Sequence, residues 1–114
     1  MRLFIDDQRT PIDFENWVVA RNAKEAITEL RLCRNRGEEL ESISYDHDLG
    51  MDGSIRTVVN WQVRNGVRPQ SASVHSSNPV GREWLFAAME RDFGSPVPIV
   101  DPPEFVGGSY VSVG

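Results

Sequence analysis

Three short stretches hold the residues best suited to chemistry. Asp6-Asp7 follows the apolar run Leu3-Phe4-Ile5, Asp46-His47-Asp48 follows Ser42 to Tyr45, and His75-Ser76-Ser77-Asn78 closes the run that begins at Ala72. Asp6, Asp7, Asp46 and Asp48 are hard oxygen donors and suit Mg²⁺ or Mn²⁺, which accept one or two carboxylates and retain several waters. Four such acids brought together would repel each other unless a cation or a proton intervened. Any one of them could instead cap a turn or the helix that follows. The loop from Asp46 is not an EF-hand, because Met51 stands where the sharp turn needs Gly and Thr57 where the last ligand should be Glu.

The third stretch suits an anion. A helix opening at Ser76-Ser77-Asn78-Pro79 presents free N–H groups and a positive dipole end. Ser76, Ser77 and Asn78 can add donors, Gly81 allows close backbone approach, and Arg82 and Arg9 can contact phosphate oxygens in a bidentate fashion. His75 is a candidate general acid or base at neutral pH. His47, between two acids, is a second candidate, as a protonated imidazole or a metal ligand; with histidines included, Mn or Fe fits the donors as readily as Mg. A strand-end histidine can also be a packed, hydrogen-bonded structural residue. Asp46 is counted with the catalytic candidates as well as with the metal ligands.

The elements that must position these residues are legible as alternating strands and helices. Strands are expected at Leu3–Ile5, Trp17–Ala20, Ser42–Tyr45 and Ala72–His75, with an edge strand at Val97–Val100 between Pro96 and Pro102. Asn22, with Glu25 three residues on, caps a helix whose Ala23, Ala26, Ile27, Leu30 and Cys33 share one face and which stops at Gly37. A second helix opens at Asp52-Gly53-Ser54, buries Ile55, Val58 and Val59, and ends at Asn65-Gly66. A third begins at Pro79, buries Val80, Trp84, Leu85 and Ala88, and ends at Gly94. Residues 8–16 read as a loop, Glu38-Glu39-Leu40-Glu41 as a solvated turn, and the tryptophans Trp17, Trp61 and Trp84 as core. The glycine-rich tail from Pro103 has no clear assignment.

Alternation of this kind implies a parallel sheet with helices on its faces, and ligands bind beyond the carboxyl ends of such strands. Both histidines, and four of the eight aspartates, fall on that one edge. A length of 114 residues fits one domain, expected over residues 1–100, with 101–114 as an extension packed on it or trailing from it. The 39% apolar content is that of a folded chain. A net charge of −5 without a basic run argues against broad nucleic-acid coating or an anionic membrane face. One cysteine, Cys33, excludes a disulfide framework, and no apolar run approaches the ~20 residues of a membrane span. Met1–Asp7 does not read as a signal peptide, so a cytoplasmic protein is expected. Of the twelve basic residues eleven are Arg, and the single lysine, Lys24, lies on the first helix away from the strand ends.

Leu3-Phe4-Ile5-Asp6-Asp7 with Arg9 and Pro11, Asp46-His47-Asp48-Leu49-Gly50, and His75-Ser76-Ser77-Asn78-Pro79-Val80-Gly81 together resemble the cyclic-phosphate-processing receiver-like family, small relatives of response-regulator receiver domains in bacteria and phages. The resemblance runs from Leu3 to about Phe93. It implies an α/β, flavodoxin-like three-layer sandwich and a metal-centred acidic pocket. In that pocket Asp6 and Asp7 match the receiver's acidic pair, Asp46 or Asp48 its phosphoacceptor, and Ser76 or Ser77 its hydroxyl residue. It also implies cyclic phosphate esters or nucleotides as ligands, an RNA end among them, in RNA repair or phage–host conflict. Two features depart from an ordinary receiver: the first crossover helix is reduced or missing at residues 8–16, and no lysine follows the fifth strand. The missing lysine argues against aspartyl-phosphate signalling, and His75 and His47, which a plain phosphoacceptor would not need, favour chemistry on a bound ester. A metal-dependent phosphoesterase-like domain is therefore expected. The alternatives are a degenerate receiver that binds a nucleotide or protein partner without turnover, and a Toprim-like nuclease. The nuclease would need a glutamate where Asp6-Asp7 stands.

Overall fold

A computed structural model describes residues 1–46, 54–75, 87, 90–91, 93–94 and 96–107. The chain runs β1 (Arg2–Ile5), β2 (Thr10–Pro11), a single 3-10 turn (Phe14–Asn16), β3 (Val18–Ala20), α1 (Ala23–Asn35), β4 (Ser42–Asp46), α2 (Ser54–Asn65), β5 (Ser71–His75) and β6 (Phe105–Val106). Four strands form one sheet in the order β3-β1-β4-β5, every pair parallel. This is the order of a flavodoxin-like doubly wound sheet, in which the chain steps outward from β1 and then reverses. The expected strand at Val97–Val100 is cut to one parallel bridge, Ala72 to Ile99. Ala72 N–H donates to Pro98 O and Val100 N–H to Ala72 O, both at 2.9 Å. Pro98 has no N–H to extend the ladder, so the edge stays short.

Both helices end as their glycines dictate. Gly37 and Gly66 have φ of 69° and 66°, and each closes a Schellman motif. Glu38 N–H bonds Cys33 O and Gly37 N–H bonds Arg34 O, while Val67 N–H bonds Gln62 O and Gly66 N–H bonds Val63 O. At the start of α1, Asn22 accepts the Glu25 N–H at 2.8 Å. The Glu25 carboxylate turns back to the Arg21 N–H, one residue before the usual capping-box partner.

Alternation along the strands separates two unlike faces. Leu3, Ile5, Ala20, Ile43, Tyr45, Ala72 and Val74 pack with Ala26 and Leu30 of α1 and Ile55, Val58 and Val59 of α2 in one apolar cluster. Leu40, expected in a solvated turn, is only 4% exposed and belongs to this core. Trp61 packs at its margin. Ala87, Glu90, Arg91 and Phe93 are helical. Val80, Trp84, Leu85 and Ala88 of the expected third helix lie outside the described residues. Cys33 is buried, as its place on the α1 stripe implies, and burial pushes its thiol pKa up.

The opposite face carries Ser42, Ser44 and Asp46 from β4 and Ser71, Ser73 and His75 from β5, with Phe4 from β1 between them and Trp17. No helix among the described residues covers it. The loop 8–16 and the segment 103–107 lie there instead, joined by the antiparallel pair β2–β6 and by Ile12 N–H donating to Glu104 O at 2.8 Å. This thin third layer is where the missing first crossover helix would otherwise lie. No helix of the described residues is long and apolar enough to cross a membrane.

One polar link crosses the apolar side. Tyr45 is wholly buried and donates its hydroxyl to Gln62 Oε1 at 2.7 Å, and Gln62 Nε2 donates to Val67 O at 3.3 Å. Burial pushes the Tyr45 pKa well up despite that bond. Tyr45→Phe would leave the Gln62 carbonyl unsatisfied in the core and should lower unfolding free energy by about 1–3 kcal/mol, read as a fall in the urea midpoint at unchanged m-value.

Candidate functional site

Register builds the site. Asp46 stands directly opposite His75 in the β4–β5 pair, and Ile5 stands opposite Tyr45, so Asp6, one residue on, reaches the same row. Asp6 is 1% exposed, Asp46 2% and His75 0%. One ligand atom from each of the three lies within 4.8 Å of the others. Ligand atoms sit roughly 2.0–2.2 Å from a small divalent ion, so opposed ligands are about 4.2 Å apart. The three are close enough together to hold a metal ion.

Asp6 is engaged through both of its carboxylate oxygens. Its Oδ1 accepts the N–H groups of Gln8 and Arg9, each at 2.8 Å. Its Oδ2 lies 2.9 Å from His75 Nε2. Burial alone would raise its pKa, but the hydrogen bond from His75 and those from the Arg9 and Gln8 amides outweigh burial and hold it at about 2. The carboxylate is therefore ionised at neutral pH and can only accept, so Nε2 of His75 carries a proton. On the far side of the ring Nδ1 lies 2.7 Å from Ser44 Oγ. The ring stacks on Phe4 with centroids 4.0 Å apart and planes 10° from parallel. His75 is thus fixed by two hydrogen bonds and a stacking contact.

Arg9 supplies the positive charge. It is 6% exposed, and its Nη1 lies 3.8 Å from Asp6 Oδ2 and 4.0 Å from Asp46 Oδ1. Its guanidinium carbon sits 5.4 Å from the centre of the Phe105 ring. Sequence reasoning placed Arg9 against phosphate; in the structure it faces two carboxylates. The loop that carries it is held by Asp6 and also by Arg21, whose Nη1 donates to Arg9 O at 2.6 Å and whose Nη2 donates to Thr10 Oγ1 at 2.8 Å.

The structure brings together Asp6, Asp46, His75 and Arg9. Asp7 is exposed and is not part of the group. His47, Asp48, Ser76, Ser77, Asn78, Gly81 and Arg82 lie outside the described residues. Ser44, Phe4, Arg21 and Phe105 were not foreseen. A signal for Ser44 was present, since Ser42-Ile43-Ser44-Tyr45-Asp46 and Ser71-Ala72-Ser73-Val74-His75 both alternate polar and apolar residues. Strands buried between two helical layers run continuously apolar, so this alternation marks a polar face.

A family model described as the cyclic-phosphate processing receiver domain matches residues 1–91. The chain belongs to that family. Searches of curated proteins and of solved structures returned no significant match. The buried Asp/Asp/His group and its arginine are therefore the acidic edge of a receiver-like domain.

The low Asp6 pKa sets an acid limit on stability. Between pH 4 and 2 the unfolded chain, with Asp6 near 3.8, binds more protons than the folded one, with Asp6 near 2. Stability present above pH 4 is lost as pH falls through that window, by about 2 kcal/mol from this residue. Asp6→Asn should lower stability at pH 7 and flatten the acid slope, as urea titrations between pH 7 and 2 would show.

Proposed function

We propose that this domain binds and hydrolyses a phosphate ester, a cyclic one first of all, at the carboxyl edge of its sheet. The observation that carries this reading is a buried Asp6–Asp46–His75 group, faced by Arg9, in a chain of the cyclic-phosphate processing family. Asp6 and Asp46 would hold a divalent cation, Mg²⁺ or Mn²⁺, with Asp48 as a further oxygen donor, which leaves the His75 imidazole free to carry a proton. Such an ion, when bound, supplies Lewis-acid stabilisation of phosphoryl charge.

The rest is done by the chain. Arg9, relieved of its carboxylates, would bind two phosphate oxygens through its planar fork. Ser76, Ser77, Asn78, Gly81 and Arg82 would hold the same phosphate at the start of the following helix. Water adds to phosphorus as one phosphorus–ester oxygen bond breaks; the leaving oxygen takes the proton now shared between His75 Nε2 and Asp6, and the proton lost by the water restores the one on His75. His47 would be an alternative proton carrier. A small cyclic phosphate, a nucleotide or an RNA end carries the chemistry this site would recognise.

A second reading is favoured by one observation. Both ring nitrogens of His75 are engaged, and the residue is fully buried. A domain that binds the phosphate without turning it over would keep such an arrangement intact.

Calorimetry with Mn²⁺ and Mg²⁺ should show one site in the wild type, weakened at least about tenfold in Asp46→Asn. Unchanged affinity in that variant would remove the metal from the proposal. Incubation with 2′,3′-cyclic and 3′,5′-cyclic nucleotides in Mn²⁺ should release monoesters and should fail with His75→Ala. Saturable binding without product in any divalent ion would establish the binding domain instead.

A further inference from the structure

We propose that Phe105, carried on the C-terminal strap Pro103–Gly107, is a positioning residue of the site that keeps the Arg9 guanidinium facing Asp6 and Asp46. The proposal deepens the function proposed above and rests on Arg9 belonging to that site. The strap lies beyond the family match, which ends at residue 91.

Three independent contacts tie the strap to the site. The Phe105 ring lies under the Arg9 guanidinium, 5.4 Å from centroid to Cζ. It also lies 5.5 Å from the His75 ring and 6.3 Å from Phe4. On the backbone, β6 pairs with β2 through Thr10 with Val106 and Pro11 with Phe105, immediately downstream of Arg9. At the far end, Gly107 has φ of +103°, and a Cβ there would come within 2.9 Å of Gln8 O and 3.4 Å of Arg9 Cα. The strap therefore approaches the Arg9 loop so closely that only glycine fits.

The loop needs this support for a physical reason. An ordinary receiver would present residues 8–16 as a helix with its own hydrogen-bond ladder. Here the segment has a two-residue strand, one 3-10 turn and a proline. Arg9 is also a long, rotamer-rich side chain whose confinement costs entropy. An aromatic face under the guanidinium offsets that cost through cation–π attraction, which grows when the pair is shielded from water. Arg9 and a divalent cation would neutralise the same two carboxylates, so holding Arg9 in place tunes cation affinity.

The test compares wild type with Phe105→Leu, Phe105→Tyr, Gly107→Val and Arg9→Gln, all in the full chain. The readouts are Mn²⁺ calorimetry, the ¹⁵N resonance of the Arg9 Nε and the thermal midpoint. Removing the Arg9 charge should raise Mn²⁺ affinity by about tenfold. Phe105→Leu keeps apolar bulk without the π face, so it should move affinity in the same direction and shift the Arg9 Nε resonance towards that of a free guanidinium. Phe105→Tyr should restore both. Gly107→Val, which displaces the strap without touching Phe105, should behave like Phe105→Leu. An Arg9 resonance and Mn²⁺ affinity unchanged in Phe105→Leu, with Arg9→Gln altered, would overturn the proposal. If the wild type binds no Mn²⁺, the metal reading falls. The strap is then judged on the Arg9 resonance, where no change in Phe105→Leu overturns it and a shift reversed by Tyr upholds it.

Discussion

Asp6 is shut away from water and yet ionised, and most of the local architecture answers that requirement. A buried carboxylate is tolerated only when its oxygens are saturated with donors or paired with charge. Two backbone amides saturate Oδ1, which forces the chain to turn sharply at Gln8 and Arg9 instead of continuing outward. The imidazole of His75 takes Oδ2, which fixes the ring and in turn engages Ser44. Arg9, brought round by that same turn, balances the charge of Asp6 and Asp46 together. One desolvated group thereby dictates a loop conformation, a tautomer and the placement of a guanidinium.

The polar face of the sheet follows from the same demand. Serines at Ser44 and Ser73 stand where a doubly covered parallel sheet would carry valine or isoleucine. A helix packed on them would bury hydroxyls with few partners. Without the first crossover helix, this face is closed by a loop and by the strap that carries Phe105. Cover of this kind brings one aromatic ring to the site without imposing a full apolar interface. The missing helix and the serine rows are two expressions of a single compromise.

Much of this was legible in the sequence. Periodicity located α1 and α2, Asn22 and the glycines at 37 and 66 set their limits, and apolar runs ending in Asp or His located three strands and their working edge. The element order implied the parallel sheet. What escaped was non-local. Arg21 reaches a loop twelve residues away, and Phe105 arrives from a tail whose composition carries no periodic signal. Their partners are fixed by tertiary approach, which neither spacing nor propensity encodes. Asp7 illustrates the reverse problem. It is the same residue type one position from Asp6, and the turn after β1 leaves it in solvent.

Scarcity of lysine takes on a structural meaning from Arg9. An ordinary receiver places a lysine at the end of its fifth strand, against the acidic edge. Here the fifth strand is one bridge at Ile99, too short to aim such a residue, and Asp101 follows where the strand would end. The positive charge comes instead from Arg9, on the loop after β1. The exchange changes what the charge can do. An ammonium is a compact point charge suited to one aspartyl-phosphate oxygen. A guanidinium presents a planar fork that matches two phosphoryl oxygens at once, and its flat face can rest on an aromatic ring while doing so. Arg9 over Phe105 has that geometry already, with its edge towards the carboxylates. Of the described cations, Arg9 is the one whose guanidinium faces both Asp6 and Asp46, so the charge at this edge comes with a planar fork where an ordinary receiver has a point charge.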